Sequence, residues 1–344
     1  MVHGQPTLAQ GGKSMSTVPK IALVGCGYWG KNLCRNFHGL GVLNTVVDAT
    51  ENGREIARSI SSIAKITECF EDVLNDEQVQ GVALATPAET HYELAMKAME
   101  AGKDVFVEKP MALNISDAES MQAQARKSGR ILMVGHLLEY HPAVLKLKEL
   151  IVSGELGKIN YVYSNRLNFG KVRTEENALW SFAPHDVAVI LRLLGQSPSQ
   201  VSASGGSYLS KGIADVTVSN LHFSDNSRAH IFVSWLHPYK EQRLVVVGDK
   251  KMAILNDVAP YGEKLLLYPQ FVEFDGKIPI LKKEDAEFID YTNTEPLRQE
   301  CAHFVECMIN RKQPLTDAHS GIEVLKVLQA CQLSIDKNGA PVKV

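Results

Sequence analysis

Nowhere in the 344 residues does an apolar run approach the roughly 18 positions a membrane-spanning helix needs, so a soluble chain without a membrane partner is expected. An excess of charge is also missing. The 36 Lys+Arg against 39 Asp+Glu leave a formal charge of −3, which provides no field for nucleic acid or an anionic lipid surface. Cysteine is scarce: Cys26, Cys34, Cys69, Cys301, Cys307 and Cys331 form no CxxC, and no His/Cys cluster has zinc-ligand spacing. No metal is therefore expected, and reduced thiols in a cytoplasmic setting are. Residues 1–19 are polar and lack the apolar segment and cleavage site of a secretory leader; they read as a flexible tail, with Met15 a candidate start. The acceptor triplet Asn114-Ile115-Ser116, without such a leader, reads as a chance match. There is no internal repeat and no further low-complexity stretch.

What remains is an ordinary globular composition, 45% hydrophobic and 22% charged, on a length that suits two domains. From residue 20 to 135, short β-branched runs (Ile21-Ala22-Leu23-Val24, Thr45-Val46-Val47, Val82-Ala83-Leu84, Val105-Phe106-Val107, Ile131-Leu132-Met133-Val134) alternate with stretches of helical spacing such as 90–102. That alternation predicts an α/β fold with a doubly wound parallel sheet over residues 20–140. After an amphipathic stretch at 142–153, the pattern changes to strands at 159–167, 200–208, 215–223, 228–235, 243–247 and 252–255. The turn residues between them predict an antiparallel meander, so residues 141–295 read as an α+β domain on a large open, mainly antiparallel sheet. The segment 235–240 reads as a strand end and turn. Two closing helices are predicted within 296–344, the second with a wide apolar face.

Gly25-Cys26-Gly27-Tyr28-Trp29-Gly30 ends the first predicted strand and opens a helix at residues 31–40, and Asp48 closes the next strand about 20 residues on. In this context Gly25 provides the tight turn, Gly27 the close approach of backbone to pyrophosphate, and Gly30 the packing of helix on strand. The helix N-terminus offers N–H groups to phosphate. A carboxylate at Asp48 accepts hydrogen bonds from ribose hydroxyls and repels a 2′-phosphate, which favours NAD over NADP. Arg54 is expected on the exposed face of the following helix.

These glycines, Thr86-Pro87 with His91, Ala101-Gly102-Lys103 leading into Glu108-Lys109-Pro110, and Val134-Gly135-His136 before Tyr140-His141-Pro142 resemble the glucose–fructose oxidoreductase/inositol dehydrogenase family. The resemblance runs from about residue 20 to the C-terminus, and the Glu-Lys-Pro segment is its most specific signature. It implies a Rossmann domain joined to an open sheet that usually mediates oligomers, hence a homo-dimer or homo-tetramer through the C-terminal sheet. It adds Tyr28, Trp29, Thr86, Pro87, His91, Glu108 and Lys109 to the cofactor-binding set, and it pairs Lys109 with His185 as catalytic residues. Oxidising a secondary alcohol needs a group that takes the hydroxyl proton while hydride leaves for the nicotinamide. An imidazole can hold that proton near neutral pH, and an ammonium can stabilise the developing alkoxide. His185 is assigned as base and Lys109 as electrostatic partner, and the two roles could be exchanged. Where the family often has Asp or Asn, four residues before this histidine, the chain has Ser181; Asp186 could take part of that orienting role.

The stretch 166–186 is similar to that of family enzymes acting on nucleotide-linked sugars. Arg166, Lys171 and Arg173 are candidate partners for a diphosphate, because guanidinium groups bind phosphate oxygens bidentately. Asn177, Tyr163 and Trp180 are candidates for contact with the sugar or the uracil. His136 and His141 are expected to line or support the domain junction. The implied activity is NAD-dependent oxidation of a secondary hydroxyl, at C3, of UDP-N-acetylglucosamine or its uronic acid. The alternatives are a free polyol or inositol dehydrogenase, and a non-catalytic nucleotide-sensing regulator on the same fold. The Lys109/His185 pair argues against the regulator, and the basic cluster argues for a phosphate-bearing substrate.

Overall fold

A computed structural model of the chain describes residues 18–269 and 271–344. The polar extension before residue 18, with Met15, lies outside the described residues. The five β-branched runs form strands β1 (Lys20–Val24), β2 (Leu43–Val47), β4 (Val79–Leu84), β5 (Asp104–Glu108) and β6 (Leu132–Gly135), and a short strand that the runs did not indicate, β3 (Lys65–Thr67), joins them. They pair in parallel in the order β3-β2-β1-β4-β5-β6. Helices α1 (Gly30–Gly39), α2 (Glu51–Ile60), α3 (Glu71–Leu74), α4 (His91–Glu100) and α5 (Ile115–Ser128) connect them. Alternate residues of one strand enter different cores, Ile21 and Leu23 one and Ala22 and Val24 the other, because helices cover both faces. The order reverses between β1 and β4, which opens a crevice at the C-terminal ends of the strands. Gly25, Thr86, Lys109 and His136 all lie just beyond those ends.

His141 opens α6 (Pro142–Val152): its Nδ1 accepts the Ala143 N–H at 3.1 Å. The second domain follows with β7 (Ile159–Phe169), α7 (Ala178–Leu194), β8 (Gln200–Gly206), β9 (Val216–His222), β10 (Arg228–Ser234), β11 (Leu236–Gly248), β12 (Met252–Asn256), β13 (Leu265–Tyr268), β14 (Phe271–Asp275), β15 (Ile278–Lys282) and β16 (Glu287–Phe288). Next come α8 (Pro296–Asn310), α9 (Ala318–Asp336) and β17 (Val342–Lys343). Among the described residues the large sheet runs β16-β13-β12-β11-β7-β10-β9-β8-β17. The expected meander is interrupted once. β10 runs parallel to β7, because α7 carries the chain across the sheet between β7 and β8 and a parallel pair needs such a crossover. The expected turn at 235–240 is instead largely the start of β11, which pairs Leu236 with Phe169 and Glu241 with Leu167 across a register shift. A bulge of this kind takes up the extra residues without ending the strand.

The core of this domain lies between the sheet and α7, with Ala183, Val187 and Ile190 against Val162, Ile231 and Val233. The two closing helices divide their work. α8 packs Leu297, Cys301 and Phe304 on the first sheet beside Phe106. α9 sends Ile322 and Leu325 into the first domain and Val324, Val327 and Cys331 into the second, so its wide apolar face serves as the seam between them.

Candidate active site

The glycine turn has the shape a dinucleotide requires. Gly25 sits at φ 90°, a conformation side chains rarely adopt. A Cβ on Gly30 would come 2.0 Å from the Gly25 carbonyl oxygen, whereas one on Gly27 meets nothing within 4 Å. Gly27 therefore borders open space at the start of α1, where pyrophosphate oxygens can approach backbone N–H groups. Asp48 stands at the end of β2, with Oδ2 accepting the Cys26 N–H at 2.7 Å and Oδ1 accepting the Thr50 N–H and hydroxyl at 2.8 and 2.7 Å. Burial pushes this carboxyl up, but those hydrogen bonds and Arg54 more than offset it and leave it below the ordinary range. Arg54 is occupied by Glu51 and the Asp48 and Ala49 carbonyls. Tyr28 is exposed at the rim.

The second cluster forms where β5 and β6 end. Glu108 is buried; Trp29 Nε1 donates to its Oε1 at 2.5 Å, and the Lys109 N–H donates to Oε2 at 3.3 Å. Trp29 thus links the glycine turn to the Glu-Lys-Pro segment, whose Lys109–Pro110 peptide is cis. Burial raises the Glu108 carboxyl to about 7 despite these contacts and the Lys109 charge. Desolvation pulls the Lys109 ammonium below its usual value; Glu108 and Glu176 oppose this, and Arg173 and Arg166 add repulsion. His185 feels Lys109, Arg166 and His136 electrostatically, and burial first, then these charges, hold its imidazole well below 6.5. His136 is held down to about 4 by burial and by Lys109. Lys109, His136, Arg166 and His185 are therefore one neighbourhood, and both histidines are neutral at pH 7. Among the described residues the His185 Nδ1 and both His136 nitrogens are buried without a hydrogen-bond partner. Such atoms suit a ligand hydroxyl or amide.

His185 is placed by α7. Asn177 caps the helix by accepting the Trp180 N–H. Pro184, inside the helix, has no N–H for the Trp180 carbonyl. Asp186, the next residue after His185, turns the other way: Arg166 Nε and Nη2 donate to its two oxygens at 2.7 and 3.1 Å, and the Ser164 hydroxyl donates at 2.6 Å. Asp186 therefore orients Arg166 and anchors α7 on β7. Ser181 is buried one helical turn before His185.

Several expected ligand-facing residues are committed elsewhere. His91, expected at the cofactor, is buried with Nδ1 2.8 Å from the Pro110 carbonyl and Nε2 3.0 Å from the Thr86 carbonyl; it braces the two loops against each other. The Asn177 amide and the Trp180 indole, expected at the sugar, both donate to the Gln332 side chain at 2.8 and 3.2 Å and pin α7 to α9. Tyr163 stacks on His230 at 5.2 Å, on the sheet face opposite Ser164 and Arg166 by strand alternation. Arg166 is paired with Asp186, and Arg173 with Glu176 at 3.0 Å. His141 Nε2 lies 3.3 Å from Asp257, which supports the junction. Gln332 and Glu176 were not anticipated from the sequence, since neither stands in a recognisable motif.

Two family models match the chain: an oxidoreductase family with an NAD-binding Rossmann fold over residues 19–136, and a GFO/IDH/MocA C-terminal domain over residues 144–254. The chain is 30% identical over 259 residues to the 2,7-anhydro-N-acetylneuraminate hydratase of Mediterraneibacter gnavus, covering 71% of this chain and 68% of that protein. It is 26% identical to the scyllo-inositol 2-dehydrogenase (NAD(+)) of Bacillus subtilis, over 94% of this chain and 96% of the other. The structure of UDP-N-acetylglucosamine 3-dehydrogenase from Acidithiobacillus ferrooxidans superposes with a TM-score of 0.81 at 21% identity, over 92% and 97% of the two chains. With both of its domains matched, this chain belongs to the Gfo/Idh/MocA family of NAD-dependent oxidoreductases.

Proposed function

We propose that the enzyme oxidises a secondary hydroxyl, at C3, of a nucleotide sugar of the UDP-N-acetylglucosamine or UDP-N-acetylglucosaminuronate class. The observation that carries this reading is the position of the basic loop at residues 170–177. Arg173 and Glu176 act electrostatically on the Lys109 ammonium, so the loop borders the place where a substrate hydroxyl would be held. A substrate with its hydroxyl at Lys109 and a diphosphate beside Lys171 and Arg173 has cationic partners for both ends. The Acidithiobacillus enzyme of the same fold supports the same chemistry.

Bound NAD supplies the hydride acceptor. The chain's own task is the proton. His185, neutral at pH 7, accepts the hydroxyl proton as the C–O bond becomes a carbonyl, and the Lys109 ammonium offsets the negative charge developing on oxygen. His136 adds a second neutral imidazole beside them, and Glu108 and His91 hold the Lys109 loop in place.

A free-polyol substrate is the second reading. Arg166 and Arg173 already face carboxylates, so neither requires a phosphate to balance its charge. Substitution separates the two. A charge-assisted hydrogen bond contributes on the order of 1.5–3 kcal/mol, so Arg173→Ala should raise KM for a UDP-sugar roughly tenfold or more with little change in kcat. An unchanged KM would remove Arg173 from the substrate site and favour the polyol.

A further inference from the structure

A second cleft, of about 580 Å³, opens where the 3₁₀ turn Leu137–Tyr140, α6, the end of α7 and the start of α9 meet. Its charged and polar lining includes Glu139, Lys148, Arg192, Ser197, His319 and Glu323, and none of Lys109, His136 or His185 borders it.

The charged groups of this cleft are unevenly partnered. Glu323 is matched by Lys326 at 2.9 Å and by the Ser197 hydroxyl, which donates to it. The carboxylate nearest Arg192 is Glu139, at 3.9 Å. Glu139 is buried, and burial raises it to about 8 against the pull of Arg192. At 3.9 Å it makes no hydrogen bond to the guanidinium. The Arg192 Nε is buried without a hydrogen-bond partner among the described residues. Lys148 donates to the Leu193 carbonyl at 3.0 Å, a neutral acceptor, and desolvation together with repulsion from Arg192 pulls its ammonium below the usual value. Two cations that disfavour each other thus share one concave surface, and neither is hydrogen-bonded to a carboxylate among the described residues.

From this arrangement we propose that the cleft is a binding site for a phosphate-type oxyanion, held by the Arg192 guanidinium and the Lys148 ammonium, and separate from the catalytic site. A tetrahedral dianion can accept two parallel hydrogen bonds from a guanidinium and one from an ammonium. Arg192 follows His185 by seven residues on α7, two helical turns, and Glu139 follows His136 by three. The occupied cleft would thus be built on the same two segments that carry the catalytic imidazoles.

Calorimetric titration of inorganic phosphate into the full-length protein saturated with NADH tests the site. Binding in the millimolar range or tighter is expected, weakened at least tenfold by Arg192→Gln and by Lys148→Met and unchanged in Arg173→Ala. Melting temperatures measured without phosphate check that the variants fold; Lys148→Met, on a partly exposed side chain, carries the test if Arg192→Gln does not. Absence of binding would overturn the proposal, as would affinity insensitive to both substitutions. Binding abolished by Arg173→Ala would also overturn it, by placing the anion in the substrate cleft.

Discussion

In the proposed mechanism Lys109 and His185 make opposite demands on charge: one must keep its proton to stabilise an alkoxide, the other must lose its own to accept one. Burial drives both toward the neutral form, below 10.5 for the amine and well below 6.5 for the imidazole. A required base is active above its pKa and a required acid below its own. The oxidation rate should therefore hold at pH 6.5, fall only below it, and fall again at alkaline pH before 10.5. Lys109→Ala and His185→Ala should each lower kcat by roughly 10²-fold or more while NADH binding persists. An acid limb lying above 6.5, or surviving in His185→Ala, would assign the base elsewhere. At this scale the motif residues were legible because their chemistry is local: glycines that permit close approach, an acid after β2, a lysine after β5. The partners were not. Arg166 meets Asp186 20 positions away, and Asn177 and Trp180 meet Gln332 155 and 152 positions away; periodicity carries no information about such pairs.

At the scale of elements, apolar period and turn chemistry located the strands of the first sheet except the short β3, and most of the second. Register, the parallel β7/β10 pair and the bulge in β11 depend on tertiary pairing and were not visible. α8 shows a signal that was available and passed over. Its apolar stripe, Leu297, Cys301, Phe304 and Met308, is interrupted by Glu300, which is fully buried with neither carboxyl oxygen hydrogen-bonded among the described residues. Burial, with Glu108 and Glu139 nearby, raises Glu300 well above 4.5. The folded state therefore retains a proton that the unfolded chain releases above about pH 4.3. Stability from this group is highest at acid pH and declines as pH rises, by up to about 1.4 kcal/mol per pH unit for each proton retained. Glu300→Gln should be about as stable as the native protein near pH 4.5 and progressively more stable than it toward pH 8. Denaturant melts at both pH values measure this. A stability difference that does not change with pH would mean that Glu300 is ionised in the fold.

For the whole molecule, α9 joins the two domains by packing into both cores. The ribbon β14–β15 pairs with no other strand among the described residues. Val272, Phe274 and Leu281 lie on one side of it by register and are exposed. A two-stranded ribbon is marginal alone, and its apolar side calls for a partner surface. A second copy of the chain is the expected partner, so light scattering should give a dimer or tetramer mass, with Phe274→Asp/Leu281→Asp shifting it toward monomer. A native protein that runs as a monomer at micromolar concentration would contradict this assignment. In the nucleotide-sugar proposal the substrate too is read at the scale of the whole molecule, because it would reach from the Lys109 cluster in the first domain to the basic loop of the second. Its identity is measured most directly by comparing kcat/KM for NADH formation from UDP-N-acetylglucosamine and its uronic acid with that from myo-inositol and free glucose under identical conditions. The nucleotide-sugar account predicts the highest value for one of the UDP-sugars; faster turnover of a free polyol would contradict it.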